Sequence, residues 1–358
     1  MRTTIFILFI IACLSTAAQP LKVAVAGIAH GHATWILGYK DKAAIQLVGI
    51  YEKDTAYAYR CAKQYGFSPS LIYTDLNKML EATKPEAVLG FGSVYSHLEV
   101  VEAAAPKGIH VMVEKPLAVN MEHAKKMEAL ANKYKIYLLT DYETSWYPTV
   151  AKTFQLALDS SYTGQVRKVV IHDGHQGPKE IGCGPEFLAW LTDPVLNGGG
   201  ALVDFGCYGA NLMTHLMKGQ QPIAVTAVTR QYKPQVYPKV EDDATIIVDY
   251  PGSQCIIQAS WNWPYSRKDM EVYGDKGSIF AADKNKLVLR QGNKVANRNV
   301  TPDDIPVYED PFKYFADVVH GKISVTPDGL YALQNNMTVV KILSAAKESA
   351  RTGKTIKF

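Results

Sequence analysis

From Leu21 to about Thr140, short apolar segments alternate with amphipathic segments, and this alternation limits the fold more than any other feature of the sequence. The apolar segments have the length of buried strands, and the amphipathic segments have the spacing of helices. Strands that alternate with helices form a parallel sheet whose two faces are covered. Strands are predicted at 21–27, 45–51, 72–73, 87–91, 110–114 and 136–140, and helices at 32–38, 55–65, 76–81, 96–107 and 121–134.

After about residue 160 the pattern changes to longer strands, most of which have no helix between them. Such a series favours an antiparallel sheet with one open face. Strands are predicted at 166–172, 223–232, 243–250, 254–261 and 268–274, and helices at 201–217, 311–319 and 330–351. The expected fold class is α/β. A parallel-sheet domain over residues 19–144 is followed by an α+β domain over 145–358 with a large open, mostly antiparallel sheet.

The composition excludes two classes of protein. Hydrophobic residues make up 47% of the chain, too many for a mostly disordered protein. Lys and Arg number 38 against 34 Asp and Glu, and the formal charge of +4 is spread along the chain. Phosphate backbones are bound by clustered cations, so we expect no nucleic-acid partner. A two-domain enzyme with a small-molecule substrate is the expectation.

Residues 1–18 have the features of an export signal. Arg2 provides a positive charge, residues 5–14 are apolar, and small residues at 15–18 precede Gln19. An apolar segment of about ten residues suits a signal peptide and is shorter than the roughly 20 that a membrane span needs. We expect Sec-type export to the periplasm; the alternative is a lipoprotein anchored at Cys13. The other four cysteines are irregularly spaced, so we predict free thiols and no metal site.

The turn after the first predicted strand is the first candidate site. A dinucleotide-binding turn has three glycines at this position. Gly27 fits the tight turn, Ala29 is small enough for a pyrophosphate to approach, and His32 replaces the third glycine. The full segment reads Gly27-Ile28-Ala29-His30-Gly31-His32.

An acidic residue at the end of the second predicted strand supports this reading. Glu52 follows Gly27 by about 25 residues, where a carboxylate accepts hydrogen bonds from the adenine ribose. The same carboxylate would repel a 2′-phosphate, which favours NAD over NADP. Lys53 beside it weakens that preference.

A lysine before a proline ends the fifth predicted strand, in the segment Val113-Glu114-Lys115-Pro116. Proline disfavours helical geometry at the preceding residue, so Lys115 can project beyond the carboxyl end of the strand. Ligands of open parallel sheets bind at that edge. Lys115 is therefore expected to face a nicotinamide.

A third candidate site begins with three glycines, Gly198-Gly199-Gly200, which would let the backbone approach a ligand closely. The helix predicted to follow has Asp204, Tyr208 and Asn211 at spacings of four and three residues, on one face. A polar stripe on an otherwise apolar helix faces either water or a site. We expect Asp204 and Asn211 to contact substrate.

Taken in order, these features resemble the glucose–fructose oxidoreductase / inositol dehydrogenase (Gfo/Idh/MocA) family over nearly the whole chain after residue 18. The resemblance implies a Rossmann domain and a second domain whose open sheet often serves oligomerisation, so a homo-oligomer is expected. It also implies a tightly held nicotinamide cofactor and a carbohydrate or polyol substrate. The residues that the resemblance assigns to the cofactor are Gly27, Ala29, His30, Gly31, His32, Glu52, Ser93, His97, Glu114 and Lys115.

The resemblance also implies catalytic roles. Lys115 corresponds to the active-site lysine and Asp204 to the acid that orients the substrate. One branch of the family has a histidine four residues after this acid, whereas Tyr208 stands there in this chain. A nearby Lys115 ammonium is expected to lower the pKa of Tyr208 and so to make it the acid/base group. His175 is the second candidate for that role, and His172 is a further titratable residue near it.

Three functions follow from these residues. The first is an NAD(P)-dependent oxidoreductase that transfers hydride from a carbohydrate or polyol. A redox-neutral NAD-dependent glycosidase with a transient keto sugar needs the same machinery and is the first alternative. A non-catalytic sugar- or nucleotide-binding protein is the second, and the presence of Lys115, Asp204 and Tyr208 argues against it.

Overall fold

A six-stranded parallel sheet occupies the first half of the computed structural model, which describes residues 19–358. The expected signal peptide and Cys13 lie outside these residues. The strand order is β3-β2-β1-β4-β5-β6, and all neighbouring pairs are parallel. The strands are β1 (Leu21–Ala26), β2 (Ile45–Tyr51), β3 (Ile72–Tyr73), β4 (Ala87–Gly90), β5 (His110–Glu114) and β6 (Leu138–Asp141).

Five helices cover this sheet: α1 (Ala33–Leu37), α2 (Thr55–Tyr65), α3 (Leu76–Thr83), α4 (His97–Ala104) and α5 (Met121–Tyr134). Side-chain caps fix where three of them begin, because the first backbone N–H groups of a helix lack partners within it. Asp54 accepts from the Tyr57 amide, Asp75 from the Lys78 amide, and Asn120 from the His123 amide.

The second half forms a nine-stranded sheet in the order β14-β13-β12-β11-β7-β10-β9-β8-β15. Every neighbouring pair is antiparallel except β7 and β10. The strands are β7 (Val166–Gly174), β8 (Ala224–Arg230), β9 (Asp243–Tyr250), β10 (Ser253–Ser260), β11 (Arg267–Gly274), β12 (Ser278–Ala281), β13 (Lys286–Gln291), β14 (Lys294–Asn299) and β15 (Ile356–Lys357). The predicted fold class is thus confirmed.

The helices of the second half are α6 (Pro148–Phe154), α7 (Pro185–Leu191), α8 (Ala201–Asp204), α9 (Gly206–Leu216), α10 (Pro311–Val319) and α11 (Leu333–Thr352). Two of them connect the halves. From α10, Phe312 and Phe315 are buried in the same hydrophobic cluster as Leu21 and Ile50 of the first sheet. From α11, Val340 packs with the first domain and Leu343 with the second. Within residues 19–358, no helix is both long and apolar enough to cross a membrane.

The secondary-structure predictions for the second half were incomplete. The helix predicted over 201–217 is interrupted at Phe205, which separates α8 from α9. The helices α6 and α7 and the strands β12, β13, β14 and β15 were not predicted. In β14, five of six residues are exposed, so the sequence there has no alternation of apolar and polar residues.

The strand order places β1 between β2 and β4, and the chain reverses its direction of progress across the sheet there. Open parallel sheets bind ligands at such a switch point. Gly27 follows β1 with a φ of +78°, and a Cβ on it would lie 2.7 Å from the Gly92 Cα. Only glycine therefore allows the turns after β1 and β4 to meet this closely.

Candidate active site

An open cavity of about 760 Å³ lies between the two domains, on the switch-point side of the first sheet. The first domain contributes His30, Gly31, His32 and Lys115 to its wall. Glu143, at the end of the first domain, also lines the cavity, and the second domain contributes the rest, including Tyr147, His175, Phe187, Asp204, Tyr208, Arg267, Lys268 and Lys284. A volume in this range suits a small-molecule ligand with a few fixed polar groups.

Lys115 and Asp204 form a buried ion pair across the domain boundary. The Lys115 Nζ lies 2.5 Å from Asp204 Oδ1 and donates to the Asp204 backbone carbonyl at 2.9 Å. The second carboxylate oxygen accepts from the Trp261 indole at 2.9 Å. Burial would lower the pKa of Lys115, but the Asp204 carboxylate outweighs burial and raises it. The lysine is therefore charged, and its charge has a fixed counterion.

Tyr208 also lines the cavity, and two ammonium groups lie over its ring. The Lys115 Nζ is 5.1 Å and the Lys268 Nζ 4.9 Å from the ring centroid. The expectation of a lowered pKa was wrong. Burial, followed by the Glu143 carboxylate, holds the pKa of Tyr208 well above its usual value. The expectation took only the nearby cations into account, whereas burial disfavours the charged phenolate and is the largest cause of the raised pKa. Both cations are also paired with carboxylates, Lys115 with Asp204 and Lys268 with Glu143.

His175 lies on the cavity wall with its ring edge-on to Phe205, at a centroid distance of 5.0 Å. Its Nδ1 accepts from the Gly177 amide at 2.9 Å, so the neutral ring carries its proton on Nε2. Burial lowers the pKa of His175 to about 4. The neighbouring His172 does not line the cavity; its Nδ1 is 2.8 Å from an Asp269 carboxylate oxygen.

The structure does not bring Asn211 to the cavity. Its side-chain amide donates to the Leu330 carbonyl at 2.8 Å, and the residue is fully buried between α9 and α11. The helix is interrupted at Phe205, so its periodicity no longer places Asn211 on the same face as Asp204. Asn211 is a structural residue in this position.

The glycines before α8 also differ from the expectation, because they approach protein backbone and not a ligand. A Cβ on Gly198 would lie 2.9 Å from the Val119 carbonyl, and one on Gly200 would lie 1.9 Å from the Glu241 carbonyl. The Glu241 carboxylate accepts from the amides of Gly200 and Leu202 at 2.7 and 3.1 Å. This segment therefore fixes the start of α8 and with it the position of Asp204.

The turn after β1 fits a dinucleotide. The backbone amides of Ala29 and Gly31 have no backbone acceptor among residues 19–358, so both can donate to a pyrophosphate. The Glu52 carboxylate is held at the end of β2, where it accepts from the amides of Ile28 and Asp54 at 3.1 and 3.0 Å. Glu52 is thus fixed beside the turn, with its remaining lone pairs free for ribose hydroxyls.

The two histidines of this turn form a cluster with Glu114. His32 Nδ1 is 2.9 Å from one Glu114 oxygen, and His30 Nε2 is 3.9 Å from the other. Burial lowers the pKa of His30 to about 3, and its ring contacts Phe187 and Trp190 of α7. The three side chains have donor atoms within 4.8 Å of one another, as do His172, Asp269 and Glu271, and either set could hold a metal ion.

Ser93 and His97 follow β4, and neither lines the cavity. The Ser93 carbonyl accepts from the Ser96 hydroxyl at 2.6 Å. His97 is buried, with Nδ1 3.2 Å from the Leu117 carbonyl, so it braces the loop that contains Lys115 and does not reach the cavity. The cysteines at 61, 183, 207 and 255 are free thiols, as predicted.

Sequence reasoning missed the pair formed by Glu143 and Lys268. Their side chains form a salt bridge on the cavity wall, and the Tyr147 hydroxyl donates to Glu143 at 2.7 Å. Burial would raise the pKa of Glu143, but Lys268 outweighs it and lowers the pKa to about 2. The two residues are 125 positions apart and belong to no local motif, so no sequence signal links them.

The fold and the cavity together define a two-domain α/β protein that binds a dinucleotide and presents a lysine–aspartate pair beside it. Family comparison agrees with this class. Residues 21–142 match the family "Oxidoreductase family, NAD-binding Rossmann fold", and residues 152–280 match the "GFO/IDH/MocA C-terminal domain". The chain belongs to the GFO/IDH/MocA oxidoreductase family, and its first domain is that family's NAD-binding domain. The family matches confirm the predicted resemblance, the oxidoreductase class and the nicotinamide cofactor.

Curated relatives are distant. A trans-1,2-dihydrobenzene-1,2-diol dehydrogenase of Xenopus laevis is 25% identical over 63% of this chain, which spans 64% of that protein's length. The NADP+-dependent D-xylose 1-dehydrogenase of Haloarcula marismortui is 23% identical over 70% of this chain and 69% of its own. The D-glucoside 3-dehydrogenase of Escherichia coli K12 is 29% identical over 53% of this chain and 52% of its own.

Solved structures share the whole fold. An inositol dehydrogenase homologue from Azotobacter vinelandii in complex with NAD+ has a TM-score of 0.81 and 19% identity, covering 95% of this chain and 98% of its own. The aldose-aldose oxidoreductase from Caulobacter crescentus has a TM-score of 0.79 and 21% identity, covering 95% and 100%. These likenesses establish the fold of both domains.

Proposed function

We propose that this protein is an NAD-dependent dehydrogenase that oxidises a secondary alcohol of a carbohydrate or polyol. The observation that carries the proposal is the buried Lys115–Asp204 pair, which opens with Tyr208 on a cavity next to the dinucleotide turn. The names of the relatives, which include a xylose and a glucoside dehydrogenase, support the substrate class.

The chain supplies the groups that such an oxidation needs. Bound NAD+ provides a hydride acceptor, and the substrate hydroxyl must lose its proton as the hydride leaves. Tyr208 takes this proton in our proposal, because it lines the cavity beside Lys115 and carries a hydroxyl group. The Lys115 ammonium stabilises the negative charge that develops on the substrate oxygen. Asp204 positions Lys115, and His175 donates from Nε2 to a second hydroxyl.

The position of Glu52 favours NAD over NADP as the cofactor. Glu52 is fixed beside the turn, where its charge opposes a 2′-phosphate. Lys53, which weakened this preference in the sequence, is 71% exposed and lies 3.8 Å from Glu99, its partner in a surface ion pair. The expected tight binding remains a proposal.

Export and assembly are proposals as well. The apolar residues 5–14 support Sec-type export to the periplasm, and the family resemblance supports a homo-oligomer. Export would separate the enzyme from the cytoplasmic pool of free NAD. The enzyme therefore works best if it retains one cofactor molecule and regenerates it within each cycle, through a second sugar or through return of the hydride to the same substrate.

The central test measures the bound cofactor. We expect purified mature protein to release close to one NAD or NADH per chain on acid extraction followed by chromatography. Absorbance at 340 nm should then change on addition of a suitable sugar without added NAD. A protein that purifies empty and consumes free NAD stoichiometrically would refute the closed cycle but not the dehydrogenase. If no sugar or polyol in a broad panel changes the absorbance even with added NAD, the proposed function is wrong.

The pH dependence of kcat distinguishes Tyr208 from His175 as the base. A base must be deprotonated, and burial raises the pKa of Tyr208, so sugar oxidation should rise about tenfold per pH unit from pH 8 to 10 without a plateau. The pKa of His175 is lowered to about 4, so a His175 base would give a flat profile over this range. A flat profile in the wild type, with a limb near pH 4 that disappears in His175→Gln, would remove Tyr208 from the role.

A further inference from the structure

A second hollow of about 380 Å³ adjoins the interdomain cavity. It lies between α1, the turn at residues 143–147 and the start of α10, and five aromatic residues line it: Trp35, Tyr39, Trp146, Tyr147 and Phe312. We call it the aromatic recess. Glu143, Tyr147 and Lys284 line both hollows, so the two spaces border each other along these side chains.

The aromatic rings of the recess are held in place by other rings. Trp35 stacks on His32 with centroids 3.8 Å apart, and Tyr39 meets Phe312 edge to face at 5.1 Å. Trp146 stacks on Tyr331 at 4.8 Å. Such packing fixes ring orientation, so a ligand in the recess would meet a preformed surface and would order few side chains on binding.

Carboxylates stand at the edge of these rings. Asp310 accepts from the amides of Phe312 and Lys313, both at 2.9 Å, which fixes its orientation, and Glu309 beside it is exposed. Glu143 is neutralised by Lys268, so the remaining charges are two carboxylates and the Lys284 ammonium. Anionic ligands are disfavoured by this balance. Carboxylates do accept strong hydrogen bonds from hydroxyl groups.

Aromatic faces beside fixed hydroxyl acceptors match one chemistry particularly well. A pyranose ring has an apolar face of C–H bonds that stacks on aromatic rings, and its edge carries hydroxyl groups. We propose that the aromatic recess binds the second ring of a glycoside or oligosaccharide whose first ring lies in the interdomain cavity. This inference rests on the proposed function and narrows its substrate class from free monosaccharides to glycosides.

The kinetic test compares substrates with one and two rings. We assay four matched pairs of substrates with NAD. Each pair consists of a methyl glycoside and the corresponding disaccharide, in the gluco, galacto, manno or xylo configuration. The pair with the highest kcat/KM is used for the comparison. We expect kcat/KM of the disaccharide to exceed that of the methyl glycoside by about tenfold, the value of one aromatic contact. Tyr39→Ala should abolish this advantage and Tyr39→Phe should retain it. Tyr59→Ala, on the exposed face of α2, is the matched control.

Binding of the same four disaccharides gives a readout that does not need turnover. In saturation-transfer NMR with protein that is loaded with NADH, both rings of at least one disaccharide should receive magnetisation, and Tyr39→Ala should remove the signals of one ring. Turnover with signals from a single ring, or a kcat/KM ratio that Tyr39→Ala leaves unchanged, overturns the recess. It is also possible to separate the two proposals if no sugar turns over. Signals from both rings that Tyr39→Ala reduces to signals from one ring would then support the aromatic recess and refute the dehydrogenase. Absence of such signals would overturn both proposals.

Discussion

Lys115→Ala should lower kcat for sugar oxidation by about 10³-fold, the loss expected when a group that stabilises developing negative charge is removed. The Lys115 ammonium is buried and fixed by Asp204 at the cavity wall, so water cannot replace its charge at the same position. The rate constant for NAD reduction under saturating substrate, measured by stopped flow, tests this. If the rate constant of the variant is within tenfold of the wild-type value, Lys115 has no part in the mechanism.

Stability must be separated from chemistry in this experiment, because the substitution leaves Asp204 buried without its cation. Breaking a buried ion pair on one side costs about 3–5 kcal/mol, so a lower Tm is expected. The double variant Lys115→Met/Asp204→Asn removes both charges and should recover stability but not rate. Lys347→Met is a matched control: this lysine donates to the Val119 and Gly198 carbonyls and does not line the cavity. The Lys347→Met variant should have a lower Tm and an unchanged kcat.

Tyr208→Phe should lower kcat by about 10²-fold and change KM by less than about threefold, as removal of an acid/base group predicts. The ring is almost completely buried, so phenylalanine fills the same space and only the hydroxyl group is lost. Steady-state kinetics with the best sugar substrate measure the two parameters separately. A change confined to KM would show that Tyr208 binds substrate and transfers no proton.

Tyr142 offers the matched control for this variant. Its ring lies 5.5 Å from that of Tyr208, and its buried hydroxyl has no hydrogen-bond partner among residues 19–358. Tyr142→Phe therefore removes a hydroxyl of the same kind from a neighbouring ring outside the cavity. It should leave kcat unchanged and raise Tm slightly, because an unsatisfied buried polar group is removed.

The sequence predicts the parts of this molecule that depend on local pattern. Alternating strands and helices indicate the parallel sheet, and the Gly27 turn, Glu52 and Lys115 are singled out because each follows a strand at a known position of such a sheet. Asp204 and Tyr208 line the interdomain cavity, and their catalytic roles stay a prediction. The direction of the pKa shift of Tyr208 was predicted wrongly, because it is set mainly by burial, which depends on the packing of distant segments.

The missed features all depend on contacts between distant segments. Glu143 pairs with Lys268 across 125 positions, and the glycines at 198 and 200 approach the backbone of Val119 and Glu241. Asn211 was misassigned because a single residue, Phe205, interrupts the helix. Helix periodicity assigns faces only while the helix is continuous. A polar residue beyond a break can therefore become a buried structural residue instead of a ligand contact.

The position of α10 affects how this protein can be divided. Phe312 and Phe315 complete the hydrophobic cluster beneath β1 and β2, although they follow those strands by more than 250 residues. A fragment that ends near residue 144 would leave that cluster open to water. The NAD-binding domain is therefore not expected to fold on its own, and recombination could not exchange residues 19–144 alone between relatives. A helix that follows eight strands of the second sheet in the chain thus completes the core of the first domain, and we expect the two domains to unfold together.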